Sequence, residues 1–184
     1  FLSDRLKDRD IRRNSEVRVI PSAGGKEDTW SNGLVRVGAI KWSPDGTRLA
    51  VIGSHDADIW DARQSFLYVI QPEMPFVQLT DGTFTTVMPP PEFKWANDNR
   101  ILFIGDSAGE SFICTVPATG GDLETVSGGN AVYTGATFDN SGNWSVVIST
   151  HTSSPGDLER IELGNDSKTQ LTSFNLGFLD QHQP

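Results

Sequence analysis

The sequence predicts an all-β fold built from short antiparallel strands, and three observations carry that prediction. The first is composition: 18 Gly and 10 Pro in 184 residues favour frequent turns and short strands over long helices. The second is patterning. Short apolar runs bounded by Asn, Asp, Ser and Gly recur along the chain, with no sustained apolar stripe at helical spacing. The third is an internal repeat. Thr80 and Thr172 mark equivalent positions 92 residues apart across two units, or 46 residues each.

The N-terminal part reads as an incomplete unit. Phe1-Leu2-Ser3-Asp4-Arg5 resembles a second strand, Glu16-Val17-Arg18-Val19-Ile20 a third and Asp28-Thr29-Trp30 a fourth. The innermost strand is missing. Ser3 is a possible helix cap, but Leu6 and Ile11 are too sparse to give residues 3–14 an apolar face.

Three full units come next. Each opens with a short strand ending in an aromatic, then a polar turn, then an apolar strand. These are Ala39-Ile40-Lys41-Trp42 with Ser43-Pro44-Asp45-Gly46 and Arg48–Ile52, then Glu92-Phe93-Lys94-Trp95 with Ala96-Asn97-Asp98-Asn99 and Arg100–Ile104. The last is Ala136-Thr137-Phe138 with Asp139-Asn140-Ser141-Gly142 and Trp144–Ile148. Pro44 suits the second position of a type I turn, and Gly closes it; Asn, Asp and Ser cap such turns locally. Third strands are predicted at Ser65–Ile70, Ser111–Val116 and Leu158–Leu163. Outer strands are predicted at Val77-Gln78-Leu79-Thr80, Leu123–Ser127 and Thr169-Gln170-Leu171-Thr172. Four strands per unit of roughly 40–50 residues is the signature of a β-propeller blade. The chain then holds about three and a half blades: an incomplete one at 1–33, full ones at 34–81, 82–128 and 129–175, and the start of a linker at 176–184.

Hydrophobic residues make up 36% of the chain, with 5 Trp and 10 Phe, enough for a sizeable core. The net charge of −9 argues against nucleic-acid binding, which needs a basic face. Residues 1–36 hold 8 basic and 6 acidic groups, leaving 7 and 18 for the remainder. Such an acidic surface draws cationic groups such as peptide N-termini, although solubility alone accounts for it. Cys114 is the single cysteine, so neither an intrachain disulfide nor a Cys-based zinc site is available; Phe112-Ile113-Cys114-Thr115-Val116 reads as a buried strand. No apolar run approaches a transmembrane span, and no targeting segment fixes a compartment. The start at Phe1 suggests processing or a fragment. Asn143-Trp144-Ser145 and Asn165-Asp166-Ser167 match the glycosylation sequon, a pattern that arises readily by chance.

One motif points to chemistry. Gly105-Asp106-Ser107-Ala108-Gly109 matches the G-x-S-x-G nucleophile elbow, which needs a strand, a sharp turn and then a helix. Arg100–Ile104 supplies the strand. Only seven residues separate Gly109 from Pro117, and Phe112, Cys114 and Val116 alternate, so a hairpin is expected instead, with Ser107 an ordinary turn residue. His55, His151 and His182 are the three histidines, and none is a convincing triad partner. His55-Asp56-Ala57-Asp58-Ile59-Trp60-Asp61 gathers carboxylates able to hold a hard cation, but lacks the glycine and distal glutamate of a calcium hand and reads as a solvated loop. His151 reads as a surface residue. Trp42, Trp95 and Phe138 are expected in the core, and Trp30 and Trp60 are the better candidates for an interaction surface. No residue is assigned to catalysis, cofactor binding or metal binding.

The last unit is the most diagnostic. Phe138-Asp139-Asn140-Ser141-Gly142, Ser153-Ser154-Pro155-Gly156-Asp157-Leu158 and the ending LTSFNLGFL from Leu171 to Leu179 resemble the closing propeller blade of the prolyl oligopeptidase family of serine peptidases, of acylaminoacyl-peptidase or dipeptidyl-peptidase type. Phe1–Arg5, Ile40–Gly46 and Thr119-Gly120-Gly121 resemble that family's blades too. The resemblance implies a non-catalytic propeller segment that gates and filters access to an α/β-hydrolase domain of the same parent, acting on short peptides. The family's catalytic serine, aspartate and histidine belong to that other domain, and none carries over to a residue here. The alternative is a TolB-like or WD-like propeller that binds a protein partner. A third reading is a small esterase using Ser107, which requires a helix after Gly109. A partial ring leaves strand edges and blade flanks open, so the chain is expected to self-associate or to be held by a missing partner segment.

Overall fold

In a computed structural model of the chain, the fold is described for residues 1–5, 15–31, 33–34, 36–55, 65–83, 93–152, 154–175 and 177. Among these residues 15 strands form four antiparallel sheets, each a meander in chain order. The chain divides into two compact units, Phe1–Thr86 with Ala118–Gly120 and Val87–Pro117 with Gly121–Pro184.

The first unit holds two sheets. The three-stranded sheet runs β1 (Leu2–Ser3), β2 (Glu16–Val19) and β3 (Asp28–Thr29). The four-stranded sheet runs β4 (Arg36–Trp42), β5 (Leu49–Ser54), β6 (Phe66–Ile70) and β7 (Val77–Gln78). Every residue of β5 is buried, as expected of a continuous apolar run covered on both faces. Val17, Leu34, Val37, Leu49, Val51, Tyr68 and Ile70 form the core.

The second unit repeats the plan with β8 (Phe93–Trp95), β9 (Arg100–Ser107), β10 (Glu110–Pro117) and β11 (Glu124–Gly128) in one sheet. The last sheet contains β12 (Val132–Phe138), β13 (Trp144–His151), β14 (Ser154–Glu162) and β15 (Ser167–Gln170). The two sheets share a core of Ala96, Leu102 and Ile113 from the first against Tyr133, Phe138, Val147 and Ile161 from the second. Lys94 Nζ also donates to the Phe138 carbonyl at 2.7 Å.

Local chemistry repeats with the sheets. The turn between first and second strands closes in all three full sheets on a left-handed residue at the same position: Gly46 at φ 70°, Asn99 at 67° and Gly142 at 71°. Their amides donate back to Ser43, Ala96 and Asp139 at 2.9, 3.3 and 3.3 Å. Gly has no Cβ to clash there, and Asn tolerates the region better than most. The end of the outer strand is fastened to the third strand by a hydroxyl. The amides of Val17, Leu67 and Leu158 donate to Ser31 Oγ, Thr80 Oγ1 and Thr172 Oγ1 at 2.7, 3.0 and 2.9 Å. A second fastening ties one sheet to the next. Ser15 Oγ donates to the Val37 carbonyl at 2.6 Å and accepts from the Val37 amide at 2.8 Å. In the second unit Ser111 Oγ accepts from the Tyr133 amide at 2.9 Å. The repeat places Ser65 at the same position and Gly156 at its counterpart in the last sheet.

Three expectations are corrected. Trp95 and Phe138 are 5% exposed, but Trp42 is 48% exposed. The edge of Trp30 lies 5.5 Å from its ring at 75°, and the sheet that precedes it has three strands among the described residues. Strands β4 and β12 begin at Arg36 and Val132 rather than at Ala39 and Ala136. The register shifts between Val37 and Ala39, and between Tyr133 and Ala136, and such bulges break the two-residue alternation. Strand β14 begins at Ser154 rather than Leu158 because His151 pairs with Ser154 across a short turn. Of residues 176–184 only Gly177 is described.

Candidate functional site

Ser107 ends β9 directly opposite Glu110, the first residue of β10. The two residues between them, Ala108 and Gly109, have φ of 53° and 84°, the two left-handed positions of a type I′ hairpin. Strand β10 then pairs with β9 through Pro117. The context of a nucleophile elbow is absent at this serine, because the chain leaves Gly109 as a strand and not as a helix.

The hairpin does shape a site. Gly109 and Glu110 line one side of an open concavity of about 500 Å³, Asn130, Ala131 and Val132 line its floor, and Thr150, His151 and Thr152 close it. All three walls are connections at one end of the second unit: two turns between second and third strands and the link from β11 into β12. The link is shaped by Gly128 and Gly129, at φ 127° and 82°. A Cβ on Gly128 would stand 2.6 Å from the Ser111 carbonyl, and one on Gly129 would approach Glu110 Oε2 to 3.7 Å. The half-buried Glu110 carboxylate is the anionic group of the concavity.

His151 is held rather than free. Its Nδ1 lies 2.7 Å from the Asn130 carbonyl. A carbonyl only accepts, so Nδ1 carries the proton, and in the neutral ring Nε2 accepts from the Ser149 hydroxyl at 3.3 Å. Ser149 is 6% exposed, and beneath the imidazole a second cavity of about 90 Å³ is lined by Ser149, Ser154, Asp157 and Glu159. The surface position expected for His151 is observed; its role as a wall beside Glu110 is not visible in the sequence. The available signal was Gly128-Gly129-Asn130, a glycine pair at a link between repeats.

The other candidates fall elsewhere. His55 Nδ1 lies 3.1 Å from the Tyr68 hydroxyl, and its ring stacks on Phe76 at 6.2 Å. Tyr68 is fully buried, and burial pushes its hydroxyl up to about 12. Asp56, Asp58, Trp60, Asp61 and His182 lie outside the described residues. Among the described residues no three His, Cys, Asp or Glu side chains gather to hold a metal ion. Cys114 is buried, and burial pushes its thiol up to about 12 against the opposing hydrogen bond with Thr125. The turn aspartates are tuned the other way. Ser43 and Thr47 donate to Asp45 at 2.6 to 3.0 Å and hold its carboxyl down at about 2. Thr83 lowers Asp81. At Asp139 desolvation is the largest single effect and raises the carboxyl, but the donors from Ser141, Trp144 and Asn143 together outweigh it and lower it. No helix among the described residues is long and apolar enough to cross a membrane.

No protein-family model matches the sequence, and no curated protein matches it either. Solved structures do. TolB from Acinetobacter baumannii superposes with a TM-score of 0.64 at 14% identity over 93% of this chain and 39% of that one. A puromycin-hydrolyzing peptidase from Mycobacterium tuberculosis gives 0.63 at 16% identity over 86% and 25%. The β-propeller domain of the Trilobed protease from Pyrococcus furiosus gives 0.56 at 16% identity over 88% and 49%. The chain spans less than half of each of these three structures. The likeness establishes the fold: all-β, in antiparallel sheets of three or four strands of the β-propeller kind.

Proposed function

We propose that this chain is the non-catalytic propeller segment of a serine peptidase of the prolyl oligopeptidase type. In this role it filters short peptides by size and charge on their way to a hydrolase domain of the same parent. The observation that carries the reading is the concavity between the β9–β10 and β13–β14 turns. It pairs the Glu110 carboxylate with an oriented His151, while the elbow-like Ser107 stands in a hairpin. A carboxylate in a half-enclosed, acidic surface attracts a cationic peptide N-terminus, and a wall that bonds without reacting selects by fit alone. The likeness to peptidase propellers supports this reading.

A second reading has its own support, since TolB from two bacteria superposes on 93% and 92% of the chain. In that case the same surface binds a protein partner. Two measurements on the purified chain separate the readings. Intact mass after treatment with a fluorophosphonate probe is expected to show no adduct; an adduct on Ser107 would make the chain an enzyme itself. Titration with labelled tripeptides is expected to give millimolar binding for free amino termini, lost on acetylation and in Glu110→Gln. Equal binding of free and acetylated peptides, or none, removes the peptide-filter role and leaves the partner-binding propeller.

A further inference from the structure

The motif Gly105-Asp106-Ser107-Ala108-Gly109 carries a second polar residue besides its serine. Asp106 stands directly opposite Ser111 across the β9–β10 hairpin, and its half-buried carboxylate accepts the Ser111 hydroxyl proton at 2.5 Å. Ser111 is fully buried. Its other polar groups all meet alternate residues of the link from β11 into β12. Its carbonyl accepts the Gly129 amide at 2.9 Å, and its amide donates to the Ala131 carbonyl at 2.8 Å. Its hydroxyl oxygen accepts the Tyr133 amide at 2.9 Å. The floor of the concavity is thus laid on one residue of β10.

The direction of one proton decides whether this anchor is complete. Ser111 Oγ receives the Tyr133 amide only with a lone pair turned toward it, so its single proton needs an acceptor elsewhere. Ser15 meets the same need at one residue, donating to the Val37 carbonyl and accepting from the Val37 amide. At Ser111 the Ala131 carbonyl is already held by the backbone amide, and Asp106 supplies the acceptor. A carboxylate accepts more strongly than a neutral group, which holds the hydroxyl in the orientation that receives Tyr133.

We propose that Asp106 is the positioning residue of the concavity: through Ser111 it fixes the β11–β12 link, and through the link it sets the imidazole of His151. Asn130 lies between the anchored residues Gly129 and Ala131, and its carbonyl receives the His151 Nδ1 proton at 2.7 Å. That contact selects the Nδ1-protonated ring and leaves Nε2 to the Ser149 hydroxyl at 3.3 Å. On the opposite wall Glu110 directly precedes Ser111, so the same anchor carries its carboxylate. Asp106 does not itself line the concavity; it acts through Ser111. The positioning needs no ligand, and its bearing on peptides rests on the peptide-filter reading.

Nitrogen-15 spectra of the histidine rings in the full chain test it at about pH 8, where an imidazole is mostly neutral. The His151 signals are assigned by their loss in His151→Gln. The wild-type ring is expected to carry its proton on Nδ1. Asp106→Ala and Ser111→Ala each move the tautomer ratio toward Nε2 by about fivefold or more, the effect of one lost hydrogen bond, and speed deuterium exchange of the Tyr133 amide about tenfold. Asp106→Asn keeps a weaker, neutral acceptor and gives an intermediate shift. The double variant Asp106→Ala/Ser111→Ala is no worse than Ser111→Ala, because the aspartate works through the hydroxyl. Ser145→Ala removes another fully buried hydroxyl, bonded to the Thr137 carbonyl at 2.9 Å, and is expected to lower Tm without moving the His151 proton. An unmoved proton in folded Asp106→Ala, a double variant worse than Ser111→Ala, or an equal shift in Ser145→Ala would each overturn the positioning role. If Asp106→Ala does not fold, Asp106→Asn decides: an intermediate shift supports the role and no shift overturns it. Failure of the wild-type chain to bind tripeptides removes the peptide-filter reading alone, since the ring spectra are recorded without ligand.

Discussion

The carboxylate of Asp157 accepts a hydrogen bond from the Thr172 hydroxyl at 2.8 Å. Thr172 Oγ1 in turn accepts the amide of Leu158 at 2.9 Å, and Asp157 also accepts the Phe174 amide at 3.0 Å. One hydroxyl thus fastens the end of the last sheet at two points. Thr172→Val keeps the shape and removes both bonds, leaving the Leu158 amide without its acceptor. We expect a loss of about 1–3 kcal/mol in urea-unfolding free energy, while Thr172→Ser loses less than half of that. A neutral result for Thr172→Val would show that water replaces the hydroxyl.

Ala108 holds a left-handed backbone at φ 53° that glycine adopts without strain. Ala108→Gly is therefore expected to raise stability by about 0.5–1 kcal/mol, read as a higher Tm. The hairpin also predicts that Ser107→Ala leaves both fold and fluorophosphonate reactivity unchanged.

Asp45 titrates at about 2 in the folded chain, below its ordinary value of 3.8, and Asp81 and Asp139 are lowered as well. A depressed folded value means that ionisation favours folding. The contribution is complete above the ordinary carboxylate value and is lost as pH falls toward 2. Urea midpoints measured downward from neutral pH should decline below about pH 4. Asp45→Asn should shorten that decline, and an unchanged acid limb in the variant would contradict the assignment.

Cys114 should be silent in the native state. Its thiol is pushed up from 9.0 to about 12, so its thiolate population at pH 8 falls on the order of a thousandfold. Iodoacetamide at pH 8 is expected to leave the folded chain unmodified for hours and to alkylate it within minutes in denaturant. Rapid alkylation of the native chain would mean that β10 opens readily.

Much of the sheet architecture is written locally. The runs Leu49–Ile52 and Ile101–Ile104 announce buried second strands, and Ser43–Gly46 announces its turn chemistry. The strand starts at Arg36 and Val132 are not legible, because the bulges after Val37 and Tyr133 interrupt the alternation that marks a strand. Trp42 misleads for a different reason. Its repeat position predicts burial, but burial depends on what the neighbouring sheet supplies, and among the described residues that sheet has three strands and sets the edge of Trp30 against the ring. The concavity was hidden because Glu110, Asn130 and His151 lie up to 41 residues apart and meet only once the two turns and the link share one end of the unit.

Ser15 and Val37 are 22 residues apart, and so are Ser111 and Tyr133. In each case the earlier residue belongs to the sheet already completed or being completed, and the later one opens the next. During synthesis at roughly 5–20 residues per second, the receiving strand emerges about 1–4 s after the serine that ties it. Each meander can therefore order on its own neighbours and hand its successor a place to dock, so nascent structure advances along the chain in the direction of translation.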